Sequence, residues 1–184
     1  KTSTWYEAIS FPDKFRIDFG DKKSGNAVIY LKDSVYDFRK GKLVRTRFNS
    51  DDLTFLLGGM YHVPFDTVKA KFQRQGYDLS KSHETTLDGK AVYVIGASGS
   101  TDRSSQVWIE KERLIVLKFI KYNGKEKEEA IFGGHKPFEG GWSETTCDFY
   151  INDKLLQKEK YYDCKANTSI DLSIFDPVHF IVTE

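Results

Sequence analysis

Four short strand-like runs that follow one another between Phe11 and Phe48 constrain the fold of this chain more than any other feature. In the first run, Phe15, Ile17 and Phe19 alternate with charged residues, the period of two that is typical of a strand with one buried face. The alternating charged residues, which we expect on the solvated face, are Lys14, Arg16 and Asp18. Only two to four residues separate successive runs, which favours antiparallel neighbours. We therefore predict a meander with one apolar face, which the rest of the chain covers or extends.

The length and composition of the chain are typical of one β-rich globular domain. A chain of 184 residues can bury one sizeable core but is short for two, so we predict a single domain over residues 1–184. Aromatic residues make up 15% of the chain, and they favour pleated, half-buried surfaces. The net charge of +1 provides no field that would attract nucleic acid, and no apolar run is long enough to span a membrane. We therefore expect neither a nucleic-acid partner nor a transmembrane segment.

Two short helices are predicted after the meander. Ser50 is a candidate N-cap for the first helix, and the acidic pair Asp51 and Asp52 suits its first turn. An apolar run then ends at Gly58, and a second helix is predicted over residues 65–75. With about ten strands in all, the fold class is mainly β (α+β). An antiparallel sheet of this size should curl strongly into an incomplete barrel, with the helices inside it as a lid.

Three turn pairs predict hairpins in the second half of the chain. They are Asp88-Gly89, Asn123-Gly124 and Asn152-Asp153. A two-residue loop at the second pair sets Lys118 opposite Glu129. A two-residue loop at the third sets Cys147 opposite Lys158, roughly 20 Å along the strand from Cys164. This separation excludes a disulfide, and only a bulge or a longer loop would allow one.

The sequence predicts no catalytic residue, no metal site and no cofactor. The four histidines lie in separate segments without ligand spacing: His62, His83, His135 and His179. The paired glycines of FGGHKPFEGGW lack the pattern of a phosphate-binding loop, and no serine lies in a nucleophile elbow. We therefore expect that the protein is not an enzyme.

The chain carries more large apolar side chains than a thin sheet needs. Two interpretations stay open: a well-filled core between sheet and helices, or an apolar cleft that binds a hydrophobic ligand. The candidate ligand-binding residues of such a cleft are Phe11, Phe15, Ile17, Phe19, Tyr30, Phe38, Leu53, Phe55, Leu56, Leu57, Trp108 and Phe119.

Several parts of the sequence resemble the LolA-type family of periplasmic lipoprotein carriers. They are FPDKFRIDF, LKDSVYDF, the helix pair at 50–75, VWIEKERLIVLKF and the ending from Phe175 to Pro177. The resemblance covers nearly the whole chain. It implies an eleven-stranded half-open barrel with helices as a lid, whose apolar cavity accepts the acyl chains of lipoproteins on their way to the outer membrane. It also implies an exported protein of the periplasm or cell envelope, with an export signal that we expect to lie outside the given residues.

Two features of the sequence differ from those carriers. The carriers have a helix and a strand before the segment that corresponds to residues 3–10, and we expect this chain to lack both. The carriers also place an arginine directly before the proline at position 12, and that arginine holds their lid closed by hydrogen bonding. Phe11 stands at this position and offers no equivalent donor.

The sequence thus leads to two hypotheses about function. The first is a non-enzymatic, exported carrier or binding protein that shelters an acyl chain or the lipid of a lipoprotein in an apolar cleft. The alternative is an envelope interaction or sensor domain whose cavity is filled and which binds protein partners.

Overall fold

The computed structural model describes residues 2–50, 53–166 and 169–182. Over these residues the chain forms fourteen strands, two α-helices and three short 3-10 helices, the latter over Lys22–Ser24, Gly59–His62 and Leu172–Phe175. The strands are β1 (Trp5–Ser10), β2 (Lys14–Phe19), β3 (Ala27–Leu31), β4 (Ser34–Arg39), β5 (Lys42–Phe48), β6 (Ser82–Leu87), β7 (Lys90–Ile95), β8 (Gln106–Glu110), β9 (Val116–Asn123), β10 (Glu126–Gly133), β11 (Lys136–Phe138), β12 (Gly141–Ser143), β13 (Thr146–Ile151) and β14 (Lys154–Lys160). The helices are α1 (Leu53–Leu56) and α2 (Phe65–Arg74).

This architecture confirms a mainly β fold with antiparallel sheets and two short helices. Hydrogen bonds join the strands into a five-stranded, a seven-stranded and a two-stranded sheet, whereas the sequence predicts one large sheet. The break falls between β5 and β6, where both helices intervene along the chain. The strong curl stays a prediction. Asp51 and Asp52, predicted in the first turn of a helix, lie outside the described residues.

The chain divides into two compact units, each described separately below. The first contains the described residues up to Pro64 together with 169–182, and the second contains 65–166. The single domain predicted over 1–184 stays a prediction.

The five-stranded sheet of the first unit confirms the predicted meander. Its strands follow the chain in the order β1-β2-β3-β4-β5, and all neighbours are antiparallel. Between β4 and β5 the turn consists of Lys40 and Gly41, because Arg39 pairs with Lys42. Lys40 has φ 49° and Gly41 has φ 74°, which are the two positive angles of a type I′ turn.

The prediction that one face of β2 is solvated is wrong. Phe15 and Ile17 are 9% and 8% exposed on one face, but Arg16 and Asp18 on the other face are only 1% and 5% exposed. The physical reason is that the C-terminal segment covers the second face, and Arg16 donates a hydrogen bond to Ile174, 158 residues further along the chain. Alternation alone cannot distinguish a solvated charged face from one that a distant segment covers.

The segment that contains α1 packs tightly against the turn between β1 and β2. Phe55 and Leu56 are each 1% exposed. A Cβ on Gly59 would lie 2.3 Å from the carbonyl oxygen of Pro12 and 2.9 Å from that of Thr54. Both neighbours are backbone atoms, so only glycine fits at this position without a backbone shift.

Gly59→Ala is therefore expected to lower the free energy of unfolding by about 1–3 kcal/mol, the usual cost of overpacking. Gly99→Ala is the control, since a Cβ on Gly99 meets nothing within 4 Å. Urea unfolding of both variants measures the difference. Equal stabilities of the two variants would contradict the close approach of Gly59 to Pro12.

The second unit is built on a seven-stranded antiparallel sheet in the order β14-β13-β10-β9-β8-β7-β6. Its core includes Val92, Val94 and Ala97, each with no exposed surface. Two predicted hairpins are confirmed, because Leu87 pairs with Lys90 and Ile151 pairs with Lys154.

The predicted register at Asn123-Gly124 is wrong. Asn123 pairs with Glu126, so the turn residues are Gly124 and Lys125. Gly124 has φ 62°, and glycine with positive φ at the first turn position is typical of a type II′ turn. As a result, Lys118 pairs with Ile131 instead of Glu129. The Lys118 Nζ still lies 3.3 Å from a Glu129 carboxylate oxygen, as a diagonal neighbour.

The predicted pairing of Cys147 with Lys158 is also wrong, by one residue. An irregularity between Phe149 and Tyr150 shifts the register, so Cys147 pairs with Glu159. A β-bulge places two residues of one strand opposite one of its partner, and the turn sequence does not encode it. The expectation of no disulfide holds: Cys147 is buried, Cys164 is exposed, and the two are not bridged.

Candidate functional site

The two faces of the five-stranded sheet carry different residues. Cross-strand pairs share a face, so Arg16, Ile29 and Tyr36 lie together on what we call the Arg16 face. Ala27 and Phe38 are a further pair on this face. The Arg16 face therefore combines a buried ion pair with an apolar surface.

The C-terminal segment, residues 171–181, covers part of the Arg16 face. The ring of Phe180 stacks on that of Phe38, with centroids 4.0 Å apart and planes 15° apart. Phe175 is 2% exposed, and Ala27 and Ile29 beneath the segment have no exposed surface. The segment is therefore part of the core of the first unit.

Arg16 holds this segment at two points. Its Nη1 donates to the carbonyl oxygen of Ile174 and its Nη2 to that of Ile181, both at 2.8 Å. Its Nε and Nη2 also donate to the two carboxylate oxygens of Asp18, at 2.9 and 2.8 Å. The guanidinium carbon lies 4.8 Å from the ring centroid of Phe180. These bonds compensate the desolvation of the buried charges, as a buried ion pair requires.

A tight turn follows Phe175 and projects from the sheet. Asp176 accepts hydrogen bonds from the backbone N–H groups of Val178 at 2.8 Å and His179 at 3.4 Å. The His179 Nδ1 lies 2.9 Å from the second carboxylate oxygen of Asp176. The hydrogen bond from the His179 side chain, followed by the one from the Val178 backbone, lowers the pKa of Asp176. The turn leaves Val178 81% exposed.

An open groove of about 640 Å³ lies between this turn and the strands β4 and β5. The lining residues are Tyr36, Phe38, Gly41, Leu43, Pro177, Val178, His179 and Phe180. Most of these side chains are apolar or aromatic, and none is a carboxylate, a lysine or an arginine. Ligand pockets usually have volumes of about 300–1,000 Å³ and apolar walls. The groove therefore has a volume in this range and mostly apolar or aromatic lining side chains, and it is open to water.

The structure separates the meander residues that the sequence assigns to one cleft. Phe15 pairs with Tyr30, and their rings stack with centroids 5.3 Å apart. Ile17 and Phe19 alternate with Arg16 along β2, so they lie on the face of Phe15 and Tyr30, which is opposite the Arg16 face. Phe38 lies on the Arg16 face and lines the groove.

The helix residues of the predicted cleft are mostly inside the first unit. Phe55 and Leu56 are buried, and Leu53 and Leu57 are half-buried. Phe11 is 42% exposed, and its ring stacks on His62 with centroids 5.5 Å apart.

The last two predicted cleft residues belong to the second unit. Trp108 pairs with Lys118 across the sheet, and the Lys118 Nζ lies 4.0 Å from the Trp108 ring centroid. Phe119 pairs with Val107 and is 4% exposed. The two aromatic residues therefore lie on opposite faces of the seven-stranded sheet.

Sequence reasoning missed most of the groove. It did not select Tyr36 or Leu43, and it selected no residue of the C-terminal segment. One signal was available: the apolar side chains of Val178 and Phe180 follow Asp176-Pro177, a pair that is typical of a turn.

A charged cluster in the second unit is the other notable polar feature. Glu110 is 4% exposed and accepts a hydrogen bond from the Arg113 Nε at 2.7 Å. Burial, followed by the charges of Arg113 and Lys90, lowers the pKa of His135 to about 4. His135 is therefore neutral at neutral pH.

The shifted pKa of His135 predicts a pH dependence of stability. An unfolded histidine binds a proton near about pH 6.5, while folded His135 stays neutral down to about 4. Its contribution is therefore complete above pH 6.5 and is lost as the pH falls towards 4. Because the ring is only half-buried, we expect this loss to be about 1–2 kcal/mol. Urea unfolding should show a shallower acid loss for His135→Gln than for the natural chain, and parallel curves would contradict the prediction.

Searches of the described residues for metal and membrane features gave two results. No group of three or more histidine, cysteine, aspartate or glutamate residues in the ranges 2–50, 53–166 and 169–182 could hold a metal ion. In those same ranges no helix is long and apolar enough to cross a membrane.

The fold of this chain is similar to that of proteins of known structure. Two solved structures are similar to this chain. One is a DUF1329 family protein from Desulfovibrio piger, with a TM-score of 0.59, 16% identity, and 95% of this chain and 82% of that chain covered. The other is an outer membrane lipoprotein-sorting protein domain from Vibrio parahaemolyticus, with a TM-score of 0.53, 13% identity, and 96% and 81% covered. No family model and no curated protein matches the sequence.

These comparisons confirm the resemblance to LolA-type proteins at the level of the fold. At identities of 16% and 13% they carry no information about which residues act. A fold of this kind supports several functions, so function has to be argued from the groove.

Proposed function

We propose that this protein is a non-enzymatic carrier or binding protein that shelters an acyl chain, free or as part of a lipoprotein, in an apolar site. The observation that carries the proposal is the groove of about 640 Å³ between β4, β5 and residues 177–180. Similarity to a domain named for lipoprotein sorting supports the same class of ligand. It also supports a location in the periplasm or cell envelope.

The driving force for binding is the burial of exposed apolar surface. Leu43 is 50% exposed and Val178 is 81% exposed, so the upper walls of the groove contact water when it is empty. Covering them with an acyl chain gains about 25 cal/mol for each Å² removed from water. Of the twelve cleft residues predicted from the sequence, Phe38 lines this groove. That the other eleven line an apolar ligand site stays a prediction.

Two measurements with purified protein test the proposal. Native mass spectrometry should detect a lipid carried through purification, and delipidated protein should bind a fluorescent fatty acid that unlabelled fatty acid displaces. If the protein neither carries lipid nor binds the fluorescent fatty acid, the proposal is wrong.

A second candidate function is a domain that binds an envelope protein through β5. This strand is at the edge of its sheet and exposes Leu43, Val44 and Phe48, at 50%, 58% and 54%. An exposed apolar edge strand can accept a strand from another chain. A photo-crosslinker at Val44 should then capture one defined envelope protein in cells, and Phe48→Glu should abolish the product. A crosslinker at the exposed Leu156 on β14 serves as the control. Capture of the same set of proteins from that position would contradict an interface at β5.

A further inference from the structure

We propose that the groove binds a single acyl chain in one orientation, with an anionic head group at the Lys40-Gly41 turn and the methyl end over Phe180. This inference rests on the proposed function and specifies the ligand and its orientation. The groove has the buried Phe38 in its wall at one place and the exposed Lys40 at its rim at another, and these two features define the orientation.

Phe38 and Phe180 stack on each other in the wall of the groove. Phe38 is 2% exposed, in contrast to Leu43 and Val178 on the open walls. The Phe180 ring centroid lies 4.0 Å from that of Phe38 and 4.8 Å from the guanidinium carbon of Arg16. All three guanidinium nitrogens already donate hydrogen bonds, and Arg16 is 1% exposed. An apolar chain cannot replace these bonds, so Phe180 limits how far a chain enters.

The rim of the groove at Gly41 is positively charged. Lys40 precedes Gly41 in the turn and is exposed, whereas Lys42 pairs with Arg39 on the face opposite Phe38 and Leu43. Lys40 makes no ion pair with any residue in the described parts of the chain. The groove itself contains no carboxylate, and its histidine, His179, is bonded to Asp176. A mostly apolar groove beside one cation complements an apolar chain with one negative charge at its end.

The backbone of this turn is held in place. The Gly41 N–H donates to the carbonyl oxygen of Gly25 at 2.9 Å, and the Lys40 N–H donates to the Asn26 side-chain oxygen at 3.1 Å. A Cβ on Gly25 would lie 2.5 Å from the Gly41 nitrogen, so the two backbones approach as closely as glycine permits. The Lys40 side chain therefore starts from a fixed position next to the groove.

A series of saturated fatty acids from octanoate to stearate tests the role of Phe180. For the natural protein the affinity should rise about fourfold for each added methylene group, equivalent to about 0.8 kcal/mol, until the chain reaches Phe180, and then stay constant. Phe180→Ala should move this limit to longer chains, and Phe180→Trp should move it to shorter ones. Leu172→Ala is the control, because Leu172 is 53% exposed in the same segment and does not line the groove. An unchanged limit in both Phe180 variants overturns the proposal.

A comparison of head groups tests the role of the basic turn. Lys40→Gln should weaken binding of a fatty acid about twofold to fivefold, the range for an exposed ion pair, and should leave binding of the fatty alcohol of equal length unchanged. Lys32→Gln is the matched control, since Lys32 occupies the preceding turn of the same sheet with a similar φ of 55°. Added salt should reduce the effect of Lys40→Gln. Equal effects of the two variants overturn the proposed orientation.

The outcomes separate this inference from the proposed function. If the natural protein binds no fatty acid, both are wrong. If it binds fatty acids and neither Phe180 nor Lys40 affects chain length or head group, the function stands and the orientation is wrong. If inorganic phosphate alone competes as well as a fatty acid does, the turn is an independent anion site and the orientation is again wrong.

Discussion

Replacing Arg16 by alanine is expected to lower the free energy of unfolding by about 3–5 kcal/mol, the usual cost of leaving one member of a buried ion pair without its partner. Asp18 would stay buried, at 5% exposure, and its carboxylate would lose the two hydrogen bonds that Arg16 donates to it. The carbonyl oxygens of Ile174 and Ile181 would lose their donors as well. We therefore expect the C-terminal segment to lose its protection from hydrogen exchange at the same time.

Two control variants distinguish this effect from the loss of any ion pair. Lys158→Ala removes a pair of similar length, 3.0 Å, whose lysine is 65% exposed, and it should cost less than about 1 kcal/mol. Arg16→Met combined with Asp18→Leu replaces both charges with apolar groups and should restore much of the stability. An Arg16→Ala variant as stable as Lys158→Ala would show that the C-terminal segment does not depend on Arg16.

Leu43→Asp is expected to weaken fatty-acid binding about tenfold to a hundredfold while leaving the fold intact. Burying a leucine side chain is worth about 1.5–3 kcal/mol, and a carboxylate in the same wall would be desolvated by the ligand. The fold should tolerate the change because Leu43 is 50% exposed on an edge strand. Titration with a fluorescent fatty acid measures the loss.

Leu155→Asp is the matched control for this variant. Leu155 is 54% exposed on β14, an edge strand of the other sheet, and it does not line the groove. The same titration should show unchanged affinity. If both variants bind equally well, the acyl chain is bound elsewhere and the groove is not the site.

The elements that the sequence predicted correctly are those that depend on neighbouring residues. The meander follows from alternation within β2 and from short turns such as Lys40-Gly41. Each of these features depends on only a few consecutive residues. Asp88-Gly89 and Asn152-Asp153 form their hairpins for the same reason. Local patterns also located both helices.

The errors in register occurred where the local sequence is compatible with more than one strand pairing. The pair Asn123-Gly124 suits a type I′ turn, but the chain uses Gly124 as the first residue of a different turn. The irregularity between Phe149 and Tyr150 has no turn residue to indicate it. A shift of one residue exchanges cross-strand partners, as it does for Cys147.

The candidate site was the hardest part to predict because distant segments form it. The charged residues Arg16 and Asp18 have the same sequence pattern whether water or a chain segment covers them. Aromatic residues such as Phe15 and Phe38 are equally apolar, yet they lie on opposite faces of the sheet. Composition predicted a hydrophobic site, and of the twelve residues that the sequence assigned to it only Phe38 lines the groove.

The bonds between Arg16 and the C-terminal segment have a consequence for synthesis on the ribosome. The residues of the second unit lie in sequence between the two parts of the first, so the meander is translated long before Ile174 and Ile181 exist. Domains usually fold during translation, N-terminal parts first. If the meander forms first, its Arg16 face therefore stays uncovered until the C-terminal segment follows.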